Sequence, residues 1–229
     1  MSNDQDITRG RWDIYGPVHK GLRLAHGQIS QRLGAADWTT VDQSNLLADL
    51  RNHLRLAGSH LAHEDQHIHP ILESLDAGVE ADLSDQHDHH RARFATLDAQ
   101  IASFEAGAVQ DRETLGRALY HGFSLLVAED LEHMHHEETV VWPRLCALLT
   151  DEELRQIEMS IVAELRPEDT IAFMSSMLPA MNRMERAELL AGMKAAAPPE
   201  AFAAVLDLAA RPTLSCEDWA DLQDRGLAA

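Results

Sequence analysis

The chain contains two similar segments that are dense in histidine and glutamate, at residues 60–72 and 133–145. Each has the pattern His-x-x-His-Glu, and in each a proline follows six residues after the glutamate. The first histidine and the glutamate of the pattern are four residues apart, which places both side chains on the same side of an α-helix. The repeat therefore predicts two facing helices that present imidazole and carboxylate groups to a shared site.

Apolar residues recur with helical periodicity along the chain, and the alternation typical of β-strands is nearly absent. The pattern predicts four long helices, over about 12–33, 41–75, 81–106 and 112–149, joined by short polar connections. We expect an all-α fold in which residues 12–149 form an up-down-up-down four-helix bundle. Pro70 and Pro143 fall inside the second and fourth predicted helices, and each is expected to bend its helix.

The last third of the chain, residues 150–229, is divided by prolines into short helical segments. We expect a helical C-terminal extension that packs on the bundle or forms a partner surface, with a homodimer through these helices as one form. Thr150–Glu153 and Ser215–Asp218 have the residue pattern of helix N-caps. Methionines concentrate here, which indicates either adaptable core filler or a partner surface.

The formal net charge is −19, from 38 acidic and 19 basic residues. This balance argues against nucleic acid as a partner, because phosphate contacts need clustered lysine and arginine, and an anionic membrane is disfavoured for the same reason. Neither an export signal nor a run of apolar residues long enough to span a membrane is visible, so we expect a cytoplasmic protein. The two cysteines, Cys146 and Cys216, are expected to be reduced thiols outside the site.

The first and third predicted helices also share a pattern, His-x-x-x-Arg, which begins at His19 and at His87. Two half-bundles would then each donate one histidine, followed by a histidine and a glutamate. The six candidate metal ligands are His19, His60, Glu64, His87, His133 and Glu137.

Imidazole and carboxylate ligands together suit iron, manganese or zinc, and this set contains no thiolate. Two carboxylates from opposite helices can each bridge a pair of ions, so Glu64 and Glu137 are assigned as the bridges. His19 and His60 would complete one ion, whereas His87 and His133 would complete the other. Both ions keep open coordination positions, which favours ligand binding or chemistry over a purely structural role.

At these residues the chain resembles the hemerythrin-like, or HHE cation-binding, family. The family pattern has a histidine on helix one, His-x-x-x-Glu on helix two, a histidine on helix three, and a histidine followed by an acidic residue on helix four. The resemblance covers residues 12–149 and implies a four-helix bundle with two iron ions, joined by an oxo or hydroxo bridge, that meets dioxygen, hydrogen peroxide or nitric oxide. Arg91 stands where oxygen-carrying members have a fifth histidine, which argues against simple reversible oxygen carriage.

Three activities remain open at this point. The first is binding or sensing of a small oxidant ligand, and the second is a peroxide-consuming (catalase- or peroxidase-like) or oxidase enzyme. The third is iron handling without turnover.

Further residues are expected around the metals, as pocket lining or as partners of the ligands. His63 and His136 follow a ligand by three residues and so point about 60° away from it. His90 is the substitute for His87, and the two arginines, each four residues after a ligand, are expected to lean inward. The full set is Arg23, His26, His63, His90, Arg91 and His136. The remaining histidines, expected to be solvated or structural, are His53, His69, His89, His121 and His135.

Residues 63–67 also match His-Glu-x-x-His, the zinc metalloprotease motif in which His63 and His67 would bind zinc and Glu64 would act as the base. The second segment has Val140 where the second zinc histidine would be. The internal repeat therefore favours the paired-metal site over the protease.

Overall fold

The computed structural model describes residues 7–39 and 42–229, and every regular element in these residues is helical. The prediction of an all-α chain is confirmed. Val41, expected near the start of the second helix, lies outside the described residues. None of the helices in the described ranges is both long enough and apolar enough to cross a membrane.

The chain divides into two compact units. One lies within Met1–Trp12 and Ala25–Ile157, and the other within Asp13–Leu24 and Glu158–Ala229. The division between the two units falls after Ile157. The domain limit predicted after residue 149 stays a prediction.

The long helices come first along the chain. Their bounds are α1 (Gly16–Ala35), α2 (Ser44–His67), α3 (His69–Ala106), α4 (Arg112–His136) and the short α5 (Trp142–Leu148). A 3-10 turn, Val109–Asp111, precedes α4.

The first unit has one apolar core to which the C-terminal half of α1 and the helices α2, α3 and α4 all contribute. Leucines of α2 meet aromatic and aliphatic side chains of the other helices. The buried members are Ile29, Leu33, Trp38, Leu46, Leu47, Leu50, Leu54, Leu97, Ile101, Phe104, Leu119, Phe123 and Leu126. Burying this many large side chains is the main driving force for the unit, at about 1.5–3 kcal/mol for each fully buried side chain.

The second predicted helix is shorter than expected. α2 ends at His67, and Pro70 lies in the first turn of α3, where a missing backbone N–H costs nothing. The expectation that Pro70 lies inside the second helix and bends it is therefore wrong. Helical structure then continues from His69 to Ala106, across the connection expected near residues 76–80. The rings of His69 and His87 are only 4.6 Å apart, whereas a straight helix would separate them by about 27 Å. The chain therefore reverses direction between these two residues.

The fourth helix is interrupted directly after the second glutamate of the repeat. Glu137–Val141 form a π-helical turn in which the Trp142 N–H donates to the Glu137 carbonyl, and α5 follows. Pro143 has no N–H for the carbonyl four residues earlier, and the wider turn accommodates this loss. Pro143 itself lies in the first turn of α5, and the predicted bend stays a prediction. The same arrangement precedes Pro212, where Leu206–Ala210 form a π-helical turn.

The C-terminal helices are short, as predicted. They are α6 (Asp151–Glu164), α7 (Pro167–Ala180), α8 (Arg183–Ala196), α9 (Pro199–Val205), α10 (Arg211–Thr213) and α11 (Cys216–Asp224). Both predicted N-caps are confirmed: Glu153 N–H donates to Thr150 Oγ1, and Asp218 N–H donates to Ser215 Oγ.

A second apolar core lies within the second unit. It is formed by Leu178, Leu190, Phe202, Val205, Ala209, Ala210 and Leu222. Met174 and Met193 pack against it, as core filler should, whereas Met159 and Met184 are exposed.

Candidate metal centre

Two glutamates are buried inside the first unit, and they are the glutamates of the repeat. Glu64 on α2 is 2% exposed and Glu137 at the end of α4 is fully buried. Neither carboxylate oxygen of Glu64 has a hydrogen-bond partner among the described residues. Burial, and then the charge of Glu137, raise the pKa of Glu64 well above its usual range. Such a carboxylate needs either a proton or a cation, because an uncompensated buried charge is strongly unfavourable.

Three histidines place ring nitrogens beside these carboxylates. His60 Nε2 lies 3.2 Å from Glu64 Oε1, His87 Nε2 lies 3.6 Å from Glu64 Oε2, and His133 Nε2 lies 3.5 Å from Glu137 Oε2. These separations are those of neighbouring ligands on one ion, whose bonds to nitrogen and oxygen are about 2.0–2.2 Å.

The ligand atoms converge in two overlapping groups. One atom from each of Glu64, His87, His133 and Glu137 lies within 4.8 Å of the others, and all four residues are buried. The ligand atoms of His60, Glu64 and Glu137 also lie within 4.8 Å of one another. The two glutamates thus belong to both groups, as bridging ligands would.

The outer nitrogens of His87 and His133 are held by hydrogen bonds. His87 Nδ1 donates to Asp65 Oδ1 at 2.7 Å, and His133 Nδ1 donates to Gln86 Oε1 at 2.9 Å. These bonds fix the tautomer in which Nε2 carries a lone pair facing the glutamates. Burial lowers the pKa of His133 to about 4 and lowers that of His87 as well, so both rings are neutral near pH 7, which is the metal-binding form.

Sequence analysis missed both hydrogen-bond acceptors. Asp65 directly follows the glutamate ligand of α2, and Gln86 directly precedes His87. Adjacency to a ligand was the available signal. It is weak, because neighbouring helical positions point about 100° apart.

His19, the remaining predicted ligand, lies on α1 in the segment assigned to the second unit, and it is fully buried. His26 is two turns later on the same helix, about 10.5 Å along the axis and on the same face. Arg23, between them, is half-buried.

His26 takes part in a buried polar network of the first unit. His26 Nε2 donates to Asp130 Oδ2 at 2.6 Å, and His53 Nε2 donates to His26 Nδ1 at 2.9 Å. Burial alone would raise the pKa of Asp130, but the hydrogen bond from His26 and the nearby histidines lower it below its usual range. His90 Nε2 lies 3.4 Å from the other oxygen of Asp130. The hydrogen-bonded network therefore runs from His53 through His26 to Asp130, and His90 packs beside Asp130 without a hydrogen bond to it.

His90 and Arg91 occupy opposite environments. His90 is 3% exposed, its Nδ1 donates to the Gln86 carbonyl at 2.8 Å, and its ring lies 4.9 Å from that of His133. Arg91 has a side chain 45% exposed and forms ion pairs with Asp65 and Asp88. The expectation that Arg91 leans inward is wrong, because these two carboxylates hold it at the surface. His90 is the residue that approaches the ligands.

The other predicted neighbours lie less deep. His63 and His136 are half-buried. Of the histidines expected to be solvated or structural, His53 and His69 are buried, whereas His89, His121 and His135 are exposed. Among the residues that the structure describes, His63 and His67 belong to none of the converging ligand groups.

Comparisons of the chain with models of known protein families, with curated proteins and with solved structures found no significant match. The site is therefore interpreted from its own geometry.

Proposed function

We propose that the protein is a hemerythrin-like non-haem di-iron protein that binds or senses a small oxidant ligand, dioxygen, hydrogen peroxide or nitric oxide. The observation that carries the proposal is the convergence of Glu64, His87, His133 and Glu137 at a buried point. Part of the proposal is that α1 to α4 form an up-down-up-down four-helix bundle around this point. Contacts of α2 with α3 and of α3 with α4, and the reversal within α3, support that topology.

The residues present fit a pair of iron ions. Glu64 and Glu137 would bridge the ions, His87 and His133 would bind one of them, and His60 would bind the other. Both oxygens of Glu64, and Nε2 of His87 and His133, lack hydrogen-bond partners among the described residues, and bound cations would compensate them. Iron in this donor set supplies electron transfer to a small oxygen or nitrogen ligand.

The surroundings favour a small and neutral ligand. The four converging residues are all buried, which favours a small ligand over a large substrate. The ring of His90, packed beside His133, limits the space at that ion and offers one polar neighbour.

The second candidate is peroxide consumption or oxidase activity, and the buried polar network favours it. Reduction of peroxide or oxygen consumes protons, and the hydrogen-bonded network of His53, His26 and Asp130 lies beside His90, whose ring packs against that of His133. Hydrogen-bonded groups of this kind can hold and pass a proton towards a buried site.

A direct test is anaerobic reconstitution with ferrous iron, followed by stopped-flow mixing with oxygen, peroxide and nitric oxide in separate runs. We expect rapid spectral changes with at least one ligand in the wild type, and none in a Glu64→Ala, Glu137→Ala double variant. Repeated turnover of peroxide would favour the enzyme, one turnover would favour binding or sensing, and iron uptake without any ligand reaction would support iron handling. A cytoplasmic location and a homodimer through the C-terminal helices belong to the same proposal.

A further inference from the structure

A second cluster of ligand-type side chains lies on the outer side of His87. One ligand atom from each of Asp65, His69 and His87 lies within 4.8 Å of the others. His69 Nδ1 lies 3.4 Å from Asp65 Oδ1 and 3.7 Å from Glu80 Oε1. His69 Nδ1 therefore has two carboxylates within 3.7 Å, and neither of them belongs to an inner glutamate.

The separations suit coordination better than hydrogen bonding. Hydrogen bonds from nitrogen to oxygen centre near 2.9–3.0 Å, and both distances at His69 are longer. Two ligands with bonds of about 2.1 Å, arranged tetrahedrally, lie about 3.4 Å apart. The spacing of His69 and Asp65 matches this value.

His69 is otherwise difficult to explain as a structural residue. It is 6% exposed, and the ring nitrogen that faces Asp65 and Glu80 is Nδ1. Its ring stacks on that of His87 at 4.6 Å, which fixes the direction in which Nδ1 points. A buried imidazole held against two carboxylates in this way is preorganised for a cation.

The cluster is also partly exposed to solvent and rich in acidic side chains. The side chains of Asp65 and Glu80 are 31% and 23% exposed. Asp88 is joined to Asp65 through Arg91, so these two carboxylates share one guanidinium. Arg91 thus occupies the place of a cation on Asp65, and a divalent ion would compete with it.

From these contacts we propose that Asp65, His69 and Glu80 form an outer divalent-cation site that loads the inner centre. One nitrogen and two carboxylate oxygens suit ferrous iron, manganese or zinc. The His87 ring separates the two sites, with Nδ1 facing Asp65 and Nε2 facing Glu64. The loading role rests on the proposed inner metal centre, whereas the outer site itself does not.

The test is equilibrium binding of Mn²⁺ to the metal-free full chain, with free Mn²⁺ measured by electron paramagnetic resonance. His69→Ala and Glu80→Gln should each weaken one class of site by at least about tenfold, in line with the loss of a ligand. Arg91→Gln should tighten the same class by about two- to fivefold, because an exposed ion pair is worth up to about 1 kcal/mol. Asp65 is left unchanged, since it also orients His87. His89→Ala, an exposed histidine paired with Glu129, is the matched control.

Two further measurements separate this site from the inner one. A Glu64→Ala, Glu137→Ala double variant should keep one bound Mn²⁺, and adding His69→Ala should remove it. The rate of iron loading into the otherwise wild-type centre should fall with Glu80→Gln while the final iron content stays the same. Unchanged Mn²⁺ binding in both His69→Ala and Glu80→Gln would overturn the outer site, and unchanged loading with altered Mn²⁺ binding would overturn its role.

Discussion

Asp65 accepts a hydrogen bond from His87 Nδ1 at 2.7 Å, one residue after Glu64, whose Oε2 lies 3.6 Å from Nε2 of the same ring. Two consecutive residues of α2 thus hold the two sides of one imidazole. Because Asp65 is also paired with Arg91 at the surface, the orientation of the buried His87 ring is connected to an exposed ion pair.

This relationship predicts the effect of Asp65→Asn. An amide is a weaker acceptor and can present its NH₂ group to the ring. The His87 ring should then be less well oriented and less basic, so metal affinity at the inner centre should fall about 10- to 100-fold. Competition with a chromophoric chelator measures the change. Asp88→Asn, which also removes a partner of Arg91, serves as the control and should leave inner-site affinity near that of the wild type.

The bridging assignment predicts that Glu64→Ala and Glu137→Ala each cost both inner ions. A shared carboxylate serves the two ions together, so its loss cannot be confined to one of them. Metal content after desalting gives the measurement, with His67→Ala as the control because His67 lies outside the converging groups. Loss of metal from His67→Ala with retention in Glu64→Ala would instead point to the zinc protease motif.

Removing the metal should lower the melting temperature by about 5–10 °C. A ligand that binds only the folded state adds about 2.7 kcal/mol at a hundredfold excess over its Kd, and each kcal/mol moves the melting point of a chain of this size by about 2–4 °C. Differential scanning calorimetry of metal-free and metal-loaded protein measures the shift. Equal melting points would mean that the stability of the fold does not depend on a cation bound by the histidines and glutamates.

The metal-free protein should lose stability as the pH falls from about 6.5 to about 3, partly through His53. Burial, followed by the nearby His26, lowers the pKa of His53 to about 3 from an ordinary value of 6.5. Between these values the unfolded chain binds a proton that the folded chain does not, so the free energy of unfolding decreases with acidification by on the order of 4 kcal/mol.

Urea denaturation at pH 7, 5 and 4 tests this acid dependence. His53→Gln should show a shallower dependence than the wild type. The comparison of the two proteins cancels the opposite contribution of Glu64, whose raised pKa favours the folded state at low pH and is lost as the pH rises. Parallel curves for the two proteins would refute the assignment to His53.

His90 and Arg91 should differ sharply in their effect on peroxide. His90 is buried beside His133, with its Nε2 3.4 Å from Asp130, so His90→Gln should slow the reaction of the reduced protein with peroxide by at least about tenfold. Arg91 is at the surface, and Arg91→Gln should stay within about twofold of the wild-type rate. Stopped-flow spectroscopy provides both rates. A larger effect from Arg91→Gln than from His90→Gln would mean that Arg91, and not His90, acts at the metal centre.

The sequence predicted that His60 and Glu64, and likewise His133 and Glu137, converge in pairs, because a four-residue spacing is a property of one helix; their role as metal ligands stays a prediction. It failed where the outcome depends on contacts between helices. Arg91 follows His87 by one turn, so the helical spacing also predicts that its side chain points inward. In the structure, ion pairs with Asp65 and Asp88 hold Arg91 at the surface. Asp130 and Gln86 have no spacing that marks them, and only the packing of α3 and α4 brings them to His90 and His133.

The ends of the helices were likewise predictable at some positions and not at others. The disturbance at Pro143 was predictable, since a proline lacks the N–H that the helix requires. The position of the break before Pro70 was not, because Pro70 is equally compatible with a bend inside one helix and with the first turn of the next.

The most direct test of a paired iron centre is the iron content of the anaerobically reconstituted protein, measured together with Mössbauer spectra of its oxidised form. We predict about two iron ions per chain with the magnetic coupling of a bridged pair, and a loss of both in Glu64→Ala. A single zinc ion per chain, or iron that shows no coupling and survives Glu64→Ala, would contradict the account.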